Sequence, residues 1–411
     1  MAAISTVFAV CLFGGVNSQT PVQVKSLVDN LLSNYDKRIR PVEDQTLPVI
    51  LDVSFSLISI IGVDEVNEKL ETSGYLTIQW TDSLLTWDPA SNDGISTIFL
   101  PQNDIWKPDI VLGNGFKKFE EFGGSFYNVE VQSFGNIFWK PFQVFETQCS
   151  IDTTYYPYDR EVCEIVFVVW SYTVIEVEIF KSANGINLNE YTESGVWEIT
   201  RTDVKVSKES VESKVTFSIH IKRKPFYYVF NIMIPILFLG MLTIFVFALP
   251  VDAGEKMSYA MTVFLSFAVF LTIINTLLPV SSDTTPVLSI YLLMQMTMSI
   301  LVLFITALQI RLHHRDTSVP ISKPFRFMVR LMHYFHCRKS CKTSRTISPA
   351  KKKDSEERDN FDSMGETSQE EKNRPEWKDV TSAIDFLAFW SFFLLYLCLT
   401  VYLFVTIIRG S

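Results

Sequence analysis

The chain of 411 residues has little glycine or proline, 16 and 17 residues respectively, which excludes collagen-like and wholly disordered architectures. It also lacks an excess of positive charge, since 36 Lys and Arg face 45 Asp and Glu for a formal net charge of -9. A phosphate backbone would demand a basic face, so nucleic acid is not an expected partner; an acidic outer domain suits cations better. No Asn-x-Ser/Thr sequon occurs, and no N-linked glycan is expected. Histidine is scarce, with five in all. His220 alternates with apolar residues and has no nucleophile or metal partner legible in the sequence, so neither enzymatic activity nor a cofactor or metal is expected. What the chain does have is 48% hydrophobic residues beside 20% charged ones, a balance too apolar for one soluble domain and too charged for membrane spans alone.

The six cysteines divide by position. Residues 1–18 form a short apolar run ending in small residues and read as a cleavable secretory signal, although the usual basic start is missing; a first buried strand is the alternative. Cys11 would leave with it. Cys337, Cys341 and Cys398 lie near or within apolar stretches, and Cys337-x-x-x-Cys341 has no second pair of zinc ligands, which favours palmitoylation or free thiols. Cys149 and Cys163 remain as one extracellular pair, and closing the short loop between them would contribute about 3 kcal/mol.

From 19 to 224 the dominant pattern is short alternating apolar runs broken by turn residues, as in 50–61, 74–82, 128–141 and 213–222. Such a pattern predicts an extracellular antiparallel β-sandwich, led by a helix over 22–35 with Val24, Leu27, Val28, Leu31 and Leu32 on one face. Four charge-free stretches follow, at 226–250, 257–282, 284–310 and 386–408. Each is long enough for the roughly 20 residues that cross about 30 Å of hydrocarbon. The predicted organisation is therefore signal (1–18), extracellular sandwich (19–224), which the resemblance given below makes the ligand-binding domain, spans one to three (225–310), inner loop (311–385), span four (386–408) and a short outer tail (409–411). The start of the inner loop is strongly basic, which puts it in the cytoplasm and the amino terminus outside the plasma membrane. Its later part, 351–374, has almost no apolar residues and is expected to be disordered. Phe325, Met328, Val329, Met332 and Phe335 share one face, which predicts a helix lying along the inner membrane surface.

The second span carries the chemistry. Glu255, Ser258, Thr262, Leu265, Val269, Thr272 and Thr276 recur at steps of three and four, so they share one helical face. Copies of such a helix around an axis turn each position into a ring. Hydroxyl rings would replace part of an ion's hydration, a Leu265 ring would form an apolar constriction, and a Glu255 ring would concentrate permeant cations at the inner mouth. Ser and Thr bonding to their own helix, or joining neighbouring helices, is the alternative use of these residues.

The segment Cys149-Ser-Ile-Asp-Thr-Thr-Tyr-Tyr-Pro-Tyr-Asp-Arg-Glu-Val-Cys163 resembles the signature of the Cys-loop, or pentameric ligand-gated, ion channels. Trp80-Thr-Asp82, Trp106-Lys-Pro-Asp109, Trp170-Ser-Tyr172 and Gly254-Glu-Lys256 are similar to the nicotinic acetylcholine receptor branch, and the resemblance runs from the leading helix to the last span. It implies a β plus α membrane protein, a sandwich followed by a four-helix transmembrane bundle. It also implies a pentamer in which four further subunits, identical or not, complete the assembly in membrane lipid. Ligands would bind between neighbouring ectodomains. The segment Asp252-Ala-Gly-Glu255 is of the cation-channel type, whereas Thr276 stands where cation channels often carry an acidic residue.

The family's ligand site is an aromatic cage that attracts quaternary ammonium groups. Trp170 matches its central tryptophan, Tyr75 replaces the tryptophan of the complementary face, and Gly113 replaces a tyrosine. Paired cysteines and both tyrosines are missing from the tip loop 205–214. Glu130, Phe138 and Lys140 align with complementary positions; Phe138 would suit an apolar ligand, and Glu130 either binds a cation or sits in solvent. The erosion fits either a chemosensory branch such as the cephalopod chemotactile receptors, opened by small hydrophobic ligands, or a non-α or divergent nicotinic subunit lending one face to a heteropentamer. A non-conducting accessory subunit is a further alternative. For coupling, the resemblance implies that Tyr156-Pro157-Tyr158 presses on the connection 278–286. It also implies that Arg223, with Glu65 and Asp159, forms a buried charge cluster, a solvated surface cluster being the alternative.

Overall fold

The computed structural model describes residues 19–207, 211–251, 254–276, 285–316, 319–340 and 376–410. The expected signal, Cys11, Cys341, the Asp252-Ala253 dipeptide and the expected disordered stretch 351–374 lie outside them. Two compact units emerge, one of residues to 152 plus 160–224 and one of 153–159 plus 225 onward.

The first unit opens with helix α1 (Pro21–Leu32), started by Pro21 and a capping box in which Thr20 and Gln23 satisfy each other's backbone N–H groups. Leu27 is buried, and Val24, Val28, Leu31 and Leu32 pack on the same core. Eleven strands follow: β1 (Val49–Asp64), β2 (Lys69–Thr81), β3 (Thr97–Pro101), β4 (Ile110–Leu112), β5 (Asn128–Gln132), β6 (Asn136–Trp139), β7 (Phe142–Gln148), β8 (Arg160–Val169), β9 (Val177–Asn187), β10 (Trp197–Ser207) and β11 (Lys214–Arg223). Seven make one sheet, in the order β3-β5-β6-β2-β1-β9 with β7 also on β2, and four make the other, β10-β11-β8-β4. All named pairings are antiparallel except β1 with β9. Alternation along each strand sends one side chain in two to the core. There Phe55 and Phe145 of the first sheet meet Phe167 and Phe217 of the second, with ring centroids 5.4–6.1 Å apart in edge-on and tilted pairs. Cys149, after β7, is disulfide-bonded to Cys163 of β8, as the sequence predicts.

Among its described residues the second unit contains four helices long and apolar enough to cross a membrane: α2 (Phe226–Ala248), α3 (Lys256–Asn275), α4 (Val287–His313) and α6 (Trp377–Gly410). Pro235 falls one residue into a regular α-helical stretch, directly after a π-helical turn at Val229–Met233. The wider turn accommodates a residue that cannot donate to the ladder. A further helix, α5 (Lys323–Ser340), precedes α6. Here the structure corrects the expectation for its apolar face. Phe325, Met328, Val329 and Met332 pack on Leu312 of α4 and on Trp377, Val380 and Ile384 of α6, so protein covers the face assigned to lipid. The side chain of Phe335 lies outside the described set.

Candidate functional site

Two half-sites occupy different sheets of the ectodomain. In the first, Asp109 just before β4 anchors the chain after β8: its carbonyl accepts from Trp170 N at 3.2 Å and its Oδ2 from Ser171 N at 2.6 Å. Trp170 is thereby presented 55% exposed, with its ring edge-on to Phe119 at 4.5 Å. Gly113 continues β4 and donates to Val166 O at 2.7 Å. A Cβ placed there would meet Val168 Cγ1 at 3.3 Å and Val166 Cγ1 at 3.5 Å, so the floor beneath Gly113 is two valines. The β10–β11 tip is pinned beside this half-site. Val211 O accepts from Val174 N at 2.8 Å, Ser213 O from Val169 N at 3.1 Å, and Ser213 Oγ from Ile179 N at 2.8 Å. Residues 208–210 of the tip lie outside the described set.

The second half-site is the outward face of the seven-stranded sheet. Tyr75, Phe138 and Lys140 line an open concavity of about 650 Å³ together with Ser54, Ser56 and Thr77. Tyr75 Oη donates to Glu190 Oε1 at 3.4 Å. Neither Trp170 nor Gly113 lines this concavity. Strand register adds a feature that the sequence reading missed. Phe99 pairs with Glu130, Glu130 with Phe138, Phe138 with Gln79, Gln79 with Asp52 and Asp52 with Phe180. Directly paired residues point to the same face, so one row across six strands intersperses three phenyl rings with three polar groups, two of them carboxyls. Within it Glu130 Oε1 accepts from Gln132 Nε2 at 3.1 Å. Burial lifts the Asp52 carboxyl above its ordinary range, and its Oδ1 has no hydrogen-bond partner among the described residues. Period-two alternation flags such positions as outward-facing, but nothing local reveals which strands are neighbours.

Helix α3 has two unlike faces. Glu255, just before its first turn, and Ser258, Thr262, Leu265, Val269, Thr272 and Thr276 are all exposed, whereas Lys256, Ala260, Val263, Phe267 and Ile274 are buried against the bundle. The hydroxyls do bond to their own helix: Thr262 donates to Ser258 O at 2.9 Å, Thr272 to Ala268 O at 2.9 Å and Thr276 to Ile273 O at 2.7 Å. With the O–H so used, each oxygen directs lone pairs away from the helix. Lys256 turns the other way. Its side chain is 1% exposed, and its Nζ donates to Asp385 Oδ1 of α6 at 2.5 Å.

Among the coupling residues, Tyr156 is buried in the second unit, 5.3 Å from the Tyr228 ring, and Tyr158 packs on the same cluster. Val287 N donates to Thr154 O at 3.0 Å, so this loop meets the start of α4. Of the expected contact segment 278–286, only Thr285 and Pro286 are described. Pro157 joins Tyr156 through a cis peptide bond, and Asp159 is buried in the same unit. In the ectodomain Arg223, 1% exposed, pairs with Glu65 Oε1 at 2.8 Å and lies over the Trp197 ring at 4.2 Å. Burial excludes the solvated alternative for Arg223.

Comparison with known proteins agrees with this geometry. Residues 24–225 match the neurotransmitter-gated ion-channel ligand binding domain, and residues 232–326 match the neurotransmitter-gated ion-channel transmembrane region. The chain is 34% identical over 304 residues to the neuronal acetylcholine receptor subunit alpha-6 of Rattus norvegicus, covering 72% of this chain and 61% of that protein. It is 35% identical over 299 residues to the subunit alpha-3 of Bos taurus, covering 71% and 60%. It thus spans about three fifths of the length of these relatives.

Proposed function

Because the chain belongs to the neurotransmitter-gated ion-channel family, as a nicotinic-like Cys-loop receptor, we propose that it is a ligand-gated cation channel subunit working in a ring of five. The chain is a multi-pass protein of the plasma membrane with an extracellular amino terminus, and its family is one of channels rather than enzymes. The carrying observation is the exposure of all seven stripe residues on α3 while the opposite face of that helix is buried in its own bundle. A polar face with outward lone pairs and Glu255 at one end suits a wet cation path far better than hydrocarbon. An agonist that binds the active arrangement more tightly shifts the equilibrium toward the open pore by that difference in affinity.

For the ligand, the half-site around Trp170 and the row through Phe138 would face each other across neighbouring subunits. The valine floor under Gly113 supports a bulky apolar body, in keeping with a chemosensory role for hydrophobic or poorly soluble compounds. A second reading rests on the complementary half: Tyr75, Phe138 and Lys140 line one concavity and Tyr75 keeps an aromatic ring in place of the tryptophan, while cage walls are missing beside Trp170. On that reading the chain lends its complementary face to a nicotinic α subunit. Recording the chain expressed alone, then with such a subunit, under steroid, terpenoid and ammonium panels separates the two. Cation current from the chain alone, evoked by apolar compounds, supports the first reading. Current only on co-expression, evoked by ammonium agonists, supports the second, and surface expression without current in any combination defeats both.

A further inference from the structure

We propose that the solvent face of α5 is a docking surface for anionic phospholipid headgroups of the inner leaflet. Its apolar face is occupied by α4 and α6, so whatever binds this helix must use the other side. That side is not an ordinary solvated one. Lys323, Arg326, Arg330 and His333 fall within about 80° of arc at 100° per residue, and all are exposed. Phe327 and Tyr334, one heptad apart, flank them on the adjacent edge and remain 65% and 64% exposed. From Lys323 to Ser340 the helix contains no Asp or Glu, so nothing on it offsets the positive charge.

Its position fits the occupant. Helix α6 has 34 residues, about 51 Å at 1.5 Å per residue, against about 30 Å of hydrocarbon. Its first turns must project past the core, and α5 packs on those turns, at Trp377, Val380 and Ile384, and on Leu312 at the end of α4. At the ends of α4 and α6 beside it, Arg311, His314, Arg315 and Lys378 are exposed together with the acids Asp316, Glu376 and Asp379, and Arg315 lies over the Trp377 ring at 4.9 Å, so the unopposed positive charge is that of α5 itself. Cations gathered there lie within reach of the negative inner-leaflet surface, and two exposed aromatic rings beside them suit the headgroup boundary. An acidic peptide could use the charge but would gain nothing specific from a paired aromatic edge at membrane depth.

The test uses the full chain purified in neutral detergent and measures binding of short-chain phosphatidylserine, with short-chain phosphatidylcholine and the free headgroup glycerophosphoserine as separate probes. Saturable binding of phosphatidylserine alone is expected. The K323Q/R326Q/R330Q variant should weaken it roughly a hundredfold, about fivefold for each cation. F327S/Y334S should weaken phosphatidylserine binding severalfold while leaving melting behaviour intact, which guards against a charge variant that fails to fold. Equal binding of phosphatidylcholine, or of the free headgroup, overturns the proposal. So does a wild-type chain that fails to bind phosphatidylserine while its 354–371 deletion variant binds it, since the chain's own acidic stretch would then be the occupant.

Discussion

Lys256 Nζ and Asp385 Oδ1 stand 2.5 Å apart in the bundle, and Gln309 Nε2 donates to the same carboxylate oxygen at 2.9 Å. Three spans thus meet at one charge pair. Consecutive residues at the start of α3 serve opposite sides: Glu255, just before the helix, is exposed while Lys256, its first residue, is withdrawn into the protein. The cation that sequence places beside Glu255 therefore does not neutralise the exposed carboxylate.

Removing one partner leaves a buried charge without compensation, which costs about 3–5 kcal/mol. Asp385→Ala should lower the melting temperature and the surface abundance of the full chain. Lys256→Met combined with Asp385→Leu should recover most of the loss. Equal destabilisation in the single and double variants would show that the pair is not the cause.

Glu255→Ala should reduce single-channel cation conductance, because the carboxylate nearest the inner mouth raises local cation concentration. Glu255→Gln should do the same without altering size. Conductance and selectivity unchanged in both would remove that ring from the permeation path.

Gly113→Tyr should weaken a bulky apolar agonist seated on this floor by about 1–3 kcal/mol, since a Cβ there already meets Val168 Cγ1 at 3.3 Å and the ring beyond it would take the place of the agonist. The dose response shifts to higher concentration with the maximal current retained. An unaltered curve would mean the agonist does not use this volume.

Burial raises the Asp52 carboxyl above its ordinary 3.8. The folded chain then holds that proton more tightly than the unfolded chain, so stability declines as pH rises from 3.8 through the raised value and stays lower at neutral pH. Asp52→Asn should raise the melting temperature at pH 7 and give no gain at a pH below 3.8. If the row across the sheet contacts a cationic ligand, the same variant also weakens that ligand.

The second span was legible because a polar stripe at helical spacing in an apolar run is a local signal, and strand alternation made the sandwich legible for the same reason. Asp385 as the partner of Lys256 was not, because the two are 129 residues apart on different helices. Phe138 and Glu130 were identified, but Phe99, Gln79, Asp52 and Phe180 join them only through register between strands distant in sequence. Helix α5 illustrates a different limit. Periodicity identifies its apolar face, but not whether lipid or protein covers it, and Trp377 supplies that cover from the far side of the inner loop.

Cysteine scanning of α3 with a charged, water-borne thiol reagent tests the central claim most directly. Thiols introduced at Ser258, Thr262, Leu265, Val269 and Thr272 should react from the aqueous phase and alter agonist-evoked current, while those at Ala260, Val263 and Phe267 should not. Uniform reactivity around the helix, or protection of the first set by lipid, would contradict a water-filled path along that face.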